Sequence, residues 1–319
     1  MKRLIYCLAT LFLLLSSGCG KSKAKEIIVC GEDQALIINV DESEDHHIDI
    51  LWSWKASEDL DSQVPVEYKE YMKSLDECKP VDNGSKILLT SSSGGVLLLD
   101  RESKKTLFYA RVPMAHSADL LPNGRIVVAL STSVEGNSLE LYDIQKPEQV
   151  LFKDSLYSGH GAVWQESNET LYALGFDELR AYSLKDWETS SPSLHLEKVW
   201  KTPIERGHDL IAVTDNELIF TGHNGVYWFD IAKESFTPFE PLADRENIKS
   251  VNYNKETGYM VYTQAEINFW THHIYMENPK KPQFRNPTNS LRSLRSKPPR
   301  MRFLLFKLTF CHILTDMSA

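Results

Sequence analysis

The chain has 319 residues, 42% apolar and 25% charged, an ordinary globular composition for one large or two small domains. Its net charge of −9 is unevenly spread: Lys280–Ala319 holds nine Lys/Arg and one acid, Asp316. With Lys2 and Arg3 also set aside, Cys19–Pro279 carries 24 bases against 43 acids, which excludes nucleic acid as an expected partner because phosphate repels such a surface.

Met1-Lys2-Arg3 is a basic start, and Leu4–Leu15 is an apolar run too short to span a bilayer as a helix. Ser16-Ser17-Gly18-Cys19 follows and resembles the lipobox of bacterial lipoproteins, with Ser16 where a leucine is usual. Residues 1–18 therefore read as a lipoprotein signal peptide. The resemblance implies cleavage before Cys19 and acylation there, so that Cys19 and the tether through Lys25 hold the chain to a membrane of the bacterial envelope. An ordinary secretory signal is the competing reading. Cys30, Cys78 and Cys311 show no metal-type spacing, and a Cys30–Cys78 bridge is open in an oxidising compartment.

From Glu26 the sequence is short apolar runs broken by Gly, Asn, Asp and Ser. Glu26–Cys30, Ala35–Val40 and Ile50–Lys55 make most of a first unit. Then a pattern repeats: a polar start, a turn, and two strands flanking a polar loop. The starts are Lys79, His116, His160, His208 and Lys249, separated by 37, 44, 48 and 41 residues. That period predicts an all-β fold, a β-propeller of four-stranded blades filling residues 26–279. The count points to six blades, with five or seven as alternatives and a β-sandwich as the competing architecture. Strands from both chain ends should close the ring.

Blade geometry turns the repeat into a site. The start of each inner strand and the loop between the second and third strands should meet at one mouth of the central channel. This gathers Lys79, His116, His160, His208 and Lys249 with Glu135, Glu178, His223 and Glu266. Singly, each is explained by packing or by binding ordered water. Five ionisable residues at equivalent positions point instead to a shared ligand in a concave mouth. The lysines suit an anionic group, and the three starting histidines could hold a divalent metal. No HExxH, P-loop, GxSxG or paired-Cys motif is present.

Several phrases resemble a bacterial propeller family, domain of unknown function 6528. They are Cys78-Lys79-Pro80-Val81, Ala110-Arg111-Val112-Pro113 with Ala115-His116-Ser117-Ala118, Ser158-Gly159-His160-Gly161 with Trp164, Gly207-His208-Asp209-Leu210, and Gln264-Ala265-Glu266. The resemblance implies fold and envelope location, and no particular activity. A shorter likeness, His116 followed by Leu121-Pro122-Asn123-Gly124, is to arylsulfotransferases, propellers that use a histidine on the central face. The leading expectation is a monomeric, lipid-anchored propeller that binds a small anionic or saccharide ligand at its mouth. The alternatives are an enzyme on that face, by group transfer through a histidine or by lyase or hydrolase chemistry, and a non-catalytic interaction scaffold.

Residues 280–319 break the pattern, with Pro282, Pro287, Pro298 and Pro299 among basic and polar residues. The expectation is an atypical tail, disordered or introduced by a frameshift, that leaves the last blade short of strands. A functional basic tail that binds anionic lipid or nucleic acid is the competing reading.

Overall fold

The computed structural model describes residues 25–43, 47–277, 300–302 and 310–313. Strands β1 (Glu26–Gly31), β2 (Gln34–Asn39) and β3 (Ile50–Lys55) are followed by two single-turn helices, α1 (Ala56–Asp59) and α2 (Tyr68–Tyr71). Four complete up-and-down sheets come next. They are β4 (Leu75–Val81), β5 (Lys86–Ser91), β6 (Gly95–Asp100) and β7 (Thr106–Arg111); then β8 (Ala115–Leu121), β9 (Arg125–Leu130), β10 (Ser138–Asp143) and β11 (Phe152–Ser155). After these come β12 (Gly161–Gln165), β13 (Thr170–Leu174), β14 (Glu178–Lys185) and β15 (Ser193–Lys201); then β16 (Asp209–Thr214), β17 (Glu217–Gly222), β18 (Gly225–Asp230) and β19 (Ser235–Pro238). The last sheet is β20 (Ile248–Tyr253), β21 (Met260–Gln264), β22 (His273–Glu277) and β23 (Arg300–Arg302). Strand β24 (Phe310–Ile313) returns to pair antiparallel with β1, giving the order β24-β1-β2-β3.

These are six four-stranded blades. Each inner strand lies against the next, β4 to β8, β12, β16, β20 and β24 and back to β4, so the ring is closed as a six-bladed propeller. Closure by strands from both chain ends removes the free edge an open ring would leave. The expectation of a last blade short of strands is corrected here. Strand β23, from beyond the proline-rich break, supplies its outer strand, and β24 supplies the inner strand of the first blade. The break therefore separates strands without ending the propeller. The remainder of residues 280–319, and residues 1–24 with the expected signal peptide and Cys19, lie outside the described residues.

Strand periodicity explains why blades stack. Successive side chains point to opposite faces, so a blade buried on both sides needs continuous apolar runs. In β5, Ile87 and Leu89 join the cluster shared with the first blade, while Leu88 joins the one shared with the next. One apolar cluster fills each of the six interfaces between blades. Cys30 and Cys78 are both buried in the cluster between the first and second blades, and no disulfide joins them.

Candidate functional site

The inner strands begin at one end of the channel, and there the backbone is irregular in a repeated way. Pairing slips between Leu75 and Glu77, between Ala115 and Ser117, and between Ile248 and Ser250, leaving Asp76, His116 and Lys249 in bulges. His160 and His208 directly precede β12 and β16, their N–H groups bonded to Leu174 and Thr221 carbonyls. A bulge re-aims its side chain, and all five turn toward the channel mouth. Two residues upstream of four of them, Met114, Ser158, Arg206 and Asn247 are left-handed, with φ of 58°, 51°, 54° and 58°. Non-glycine residues adopt this conformation at a cost of about 1–2 kcal/mol each, and such strain collects at functional sites.

The left-handed turns set the histidine tautomers. The Nδ1–H of His160 points at the Ser158 carbonyl 2.9 Å away, and Nδ1 of His116 lies 3.0 Å from the Met114 carbonyl. His116 Nε2 faces Asp76 Oδ1 at 3.6 Å, so both its nitrogens look at acceptors. Among the described residues, the hydrogen-bonding contact of His160 Nε2 is Ser131 Oγ, at 3.5 Å. In His208 the pattern inverts: Nδ1 accepts from Lys249 Nζ at 3.0 Å. The three rings form a row, with centroids 4.4 Å apart for His116–His160 and 5.6 Å for His160–His208.

Burial governs the charges. It holds His160 well below the ordinary histidine range, and proximity to the ionisable His116, His208 and Lys249 adds to the effect. Burial, then the adjacent Lys249, does the same to His208. Burial also lowers Lys249 to about 8, against the pull of Asp76 and Asp209. At neutral pH His160 and His208 are neutral and Lys249 is mostly an ammonium.

Together these groups line a cavity of about 550 Å³. Its floor is Asp76, His116, His160, His208 and Lys249, and its wall includes Tyr157, Phe176, Phe269 and Trp270. Tyr157 is 57% exposed and Phe269 71% exposed, high values for large apolar rings. Arg206 stands at the edge and, among the described residues, meets no carboxylate within ion-pair distance; nor does Lys249. No group of three His, Cys, Asp or Glu among the described residues is spaced to hold a metal ion. Lys249 beside His208 is a physical reason for that, since an ammonium repels a cation.

Four of the residues expected at the mouth are thus brought together: His116, His160, His208 and Lys249. Five are elsewhere. Lys79 lies deeper, buried in the channel, donating to the Ala162 carbonyl at 2.7 Å and sitting 3.3 Å from Glu77 and 3.9 Å from Asp119. Burial pulls its pKa down, but Glu77, Asp119 and Asp209 outweigh that and hold it above the ordinary lysine value. Asp76 is the true equivalent of the other starts. Glu135 is exposed and pairs with Arg111 at 3.0 Å. Glu178 is engaged by Arg180 Nε at 2.8 Å, and His223 is exposed outside the cavity. Glu266 sits behind the wall, accepting from Thr271, His273 and Tyr275 at 2.5–2.6 Å. Burial alone would raise its pKa; the three donors hold it near 2. It fastens the loop that carries Phe269 and Trp270.

Reading the repeat missed Asp76, Arg206 and the four aromatic residues. An aromatic side chain in an otherwise polar turn, as at Tyr157, Phe176 and Phe269, was the signal available. No curated protein matches the chain. Over residues 24–285, a span holding all five floor residues, it matches the family described as a family of unknown function, DUF6528, and the chain belongs to that family.

Proposed function

We propose that this propeller binds a small anionic ligand in the mouth cavity and is tethered to a bacterial envelope membrane through Cys19. The observation that carries the binding reading is the pair Arg206 and Lys249. Two cations face a cavity in a strongly acidic chain without a protein carboxylate in ion-pair contact among the described residues. Lys249 is half-buried, and a cation so placed ordinarily acquires a counter-charge, which a ligand oxyanion would supply beside the exposed Arg206. The tether rests on the basic start, apolar run and lipobox-like Ser16-Ser17-Gly18-Cys19.

Two experiments test this. Isothermal titration with sulfate, phosphate and benzoate should show saturable binding of at least one, weakened about ten-fold or more in Lys249→Met and Arg206→Ala. Binding that both variants leave unchanged would contradict the site. Metabolic labelling with a fatty-acid probe should mark the wild type and not Cys19→Ser; equal labelling would contradict the anchor.

A second reading, an enzyme on the same face, draws on His160. A neutral imidazole with its Nδ1–H fixed and its Nε2 toward the cavity is equipped to accept a proton. Turnover lost in His160→Gln while ligand affinity is kept would favour it over simple binding.

A further inference from the structure

The floor of the cavity is polarised. At one end His208 and Lys249, with Arg206 at the rim, offer donors and positive charge. An oxyanion satisfies them. At the centre His160 offers the reverse. Its Nδ1–H is spent on the Ser158 carbonyl, so Nε2 presents a lone pair. The neighbouring Ser131 Oγ, at 3.5 Å, is too far for a good bond and leaves that lone pair to a ligand. A lone pair repels an oxyanion and wants an O–H donor. An ammonium donor is disfavoured there, because Lys249 and Arg206 border the same space. Asp76 is already engaged, accepting from the Ser92 N–H at 2.6 Å and facing His116 at 3.6 Å.

The wall adds a third requirement. Tyr157 and Phe176 form one aromatic bank, their centroids 5.5 Å apart, and Phe269 with Trp270 forms another beside Lys249. Aromatic rings beside a polar floor, with Tyr157 and Phe269 exposed, suit a ligand that has flat C–H faces and polar edges. A bare inorganic anion needs no aromatic wall. An aliphatic carboxylate has no use for the lone pair of His160. A neutral sugar leaves two cations without a counter-charge. A volume of about 550 Å³ falls within the roughly 300–1,000 Å³ of small-ligand sites.

We propose that the ligand is a saccharide bearing an oxyanion, bound with the oxyanion at Lys249 and Arg206, a ring hydroxyl donating to Nε2 of His160, and its C–H faces against the aromatic banks. This rests on the anion reading above and names the chemical class that reading leaves open.

Calorimetric titrations with four probes separate the requirements: methyl α-D-glucuronoside, glucose 6-sulfate, methyl α-D-glucoside and cyclohexanecarboxylate. One charged sugar should bind at least ten-fold more tightly than both the uncharged glucoside and the hydroxyl-free carboxylate. Which of the two charged sugars wins identifies carboxylate or sulfate. Lys249→Met and Arg206→Ala should cost the charged sugar ten-fold or more. His160→Leu should weaken the sugars and leave cyclohexanecarboxylate unchanged, and unaltered near-ultraviolet circular dichroism would confirm that each variant is folded. Equal binding of cyclohexanecarboxylate would overturn the saccharide inference while the anion reading stands. Binding of none of the four would overturn the saccharide inference, and the anion reading would fall with it only if sulfate, phosphate and benzoate also failed to bind; equal binding of the uncharged glucoside would overturn both.

Discussion

Lys249 holds its ammonium 3.0 Å from Nδ1 of His208, a lysine from the last blade donating to a histidine of the blade before it. The contact fixes His208 with its proton on Nε2 and ties the charge of one group to the tautomer of the other. It also sets a pH limit. Burial brings Lys249 to about 8, so its charge is present below that pH and lost above it. Anion affinity should therefore be flat from about pH 6.5 to 7.5 and fall through pH 8 to 9, by roughly ten-fold for the loss of one charged donor. Titration calorimetry across this range checks it, and Lys249→Met should abolish the step.

Lys79 of the second blade reaches past the third to the Ala162 carbonyl of the fourth, plugging the channel beneath the ligand cavity. It neutralises Glu77 and Asp119, and both carboxylates have structural duties. Glu77 accepts the Ala118 N–H at 2.8 Å and Asp119 the Trp164 N–H at 2.8 Å, each binding one blade to the next. Lys79→Met should leave buried negative charge uncompensated and destabilise the fold by about 3–5 kcal/mol. Urea denaturation at pH 7 measures this, and a loss under 1 kcal/mol would refute the role.

Asp209 makes the same kind of blade-to-blade bond, accepting the Val251 N–H at 3.0 Å, but it is more deeply isolated. Burial raises its pKa to about 8, despite that bond and the nearby Lys79. Below pH 3.8 the carboxyl is protonated folded and unfolded, and nothing is lost. Between 3.8 and 8 the unfolded chain ionises while the native state keeps its proton, so this group's contribution to stability falls as pH rises. Asp209→Asn keeps an acceptor for Val251 without the charge. It should be more stable than wild type at pH 7 by about 1–3 kcal/mol, and the two should converge toward pH 4. Asp209→Leu, which abandons the Val251 N–H, should be less stable than the Asn variant at both pH values.

The propeller was legible because its signal is repetitive. Turn residues, paired apolar runs and a recurring ionisable start all carry one period, and errors in a single copy do not hide it. Reading individual residues was less secure where register decides. Lys79 and Asp76 are three positions apart on β4, and the bulge at Asp76 turns that residue, not Lys79, to the mouth. Asp76 stands eight residues before Gly84, as His116 stands eight before Gly124, whereas Lys79 stands only five before it, so the distance to the turn was the signal that reading Lys79 as the start passed over. Glu135 and His223 lie in the expected loops and Glu178 opens β14, but a place near the mouth does not fix where a side chain turns; Arg111 and Arg180 engage the two carboxylates. Arg206 was invisible because its place at the cavity edge depends on a left-handed backbone, which composition does not record. The outer strand of the last blade was missed because β23 follows a basic, proline-broken segment, which local pattern separates from the fold.

The central claim is that Arg206 and Lys249 await an oxyanion at the propeller mouth. A crystal structure of the protein soaked in selenate, whose selenium scatters anomalously, tests it most directly. The predicted result is an anomalous peak inside the cavity, within hydrogen-bonding distance of both the Arg206 guanidinium and Lys249 Nζ, absent from Lys249→Met crystals. Selenate bound only at other surface cations, with the cavity free of anomalous density at saturating concentration, would contradict it.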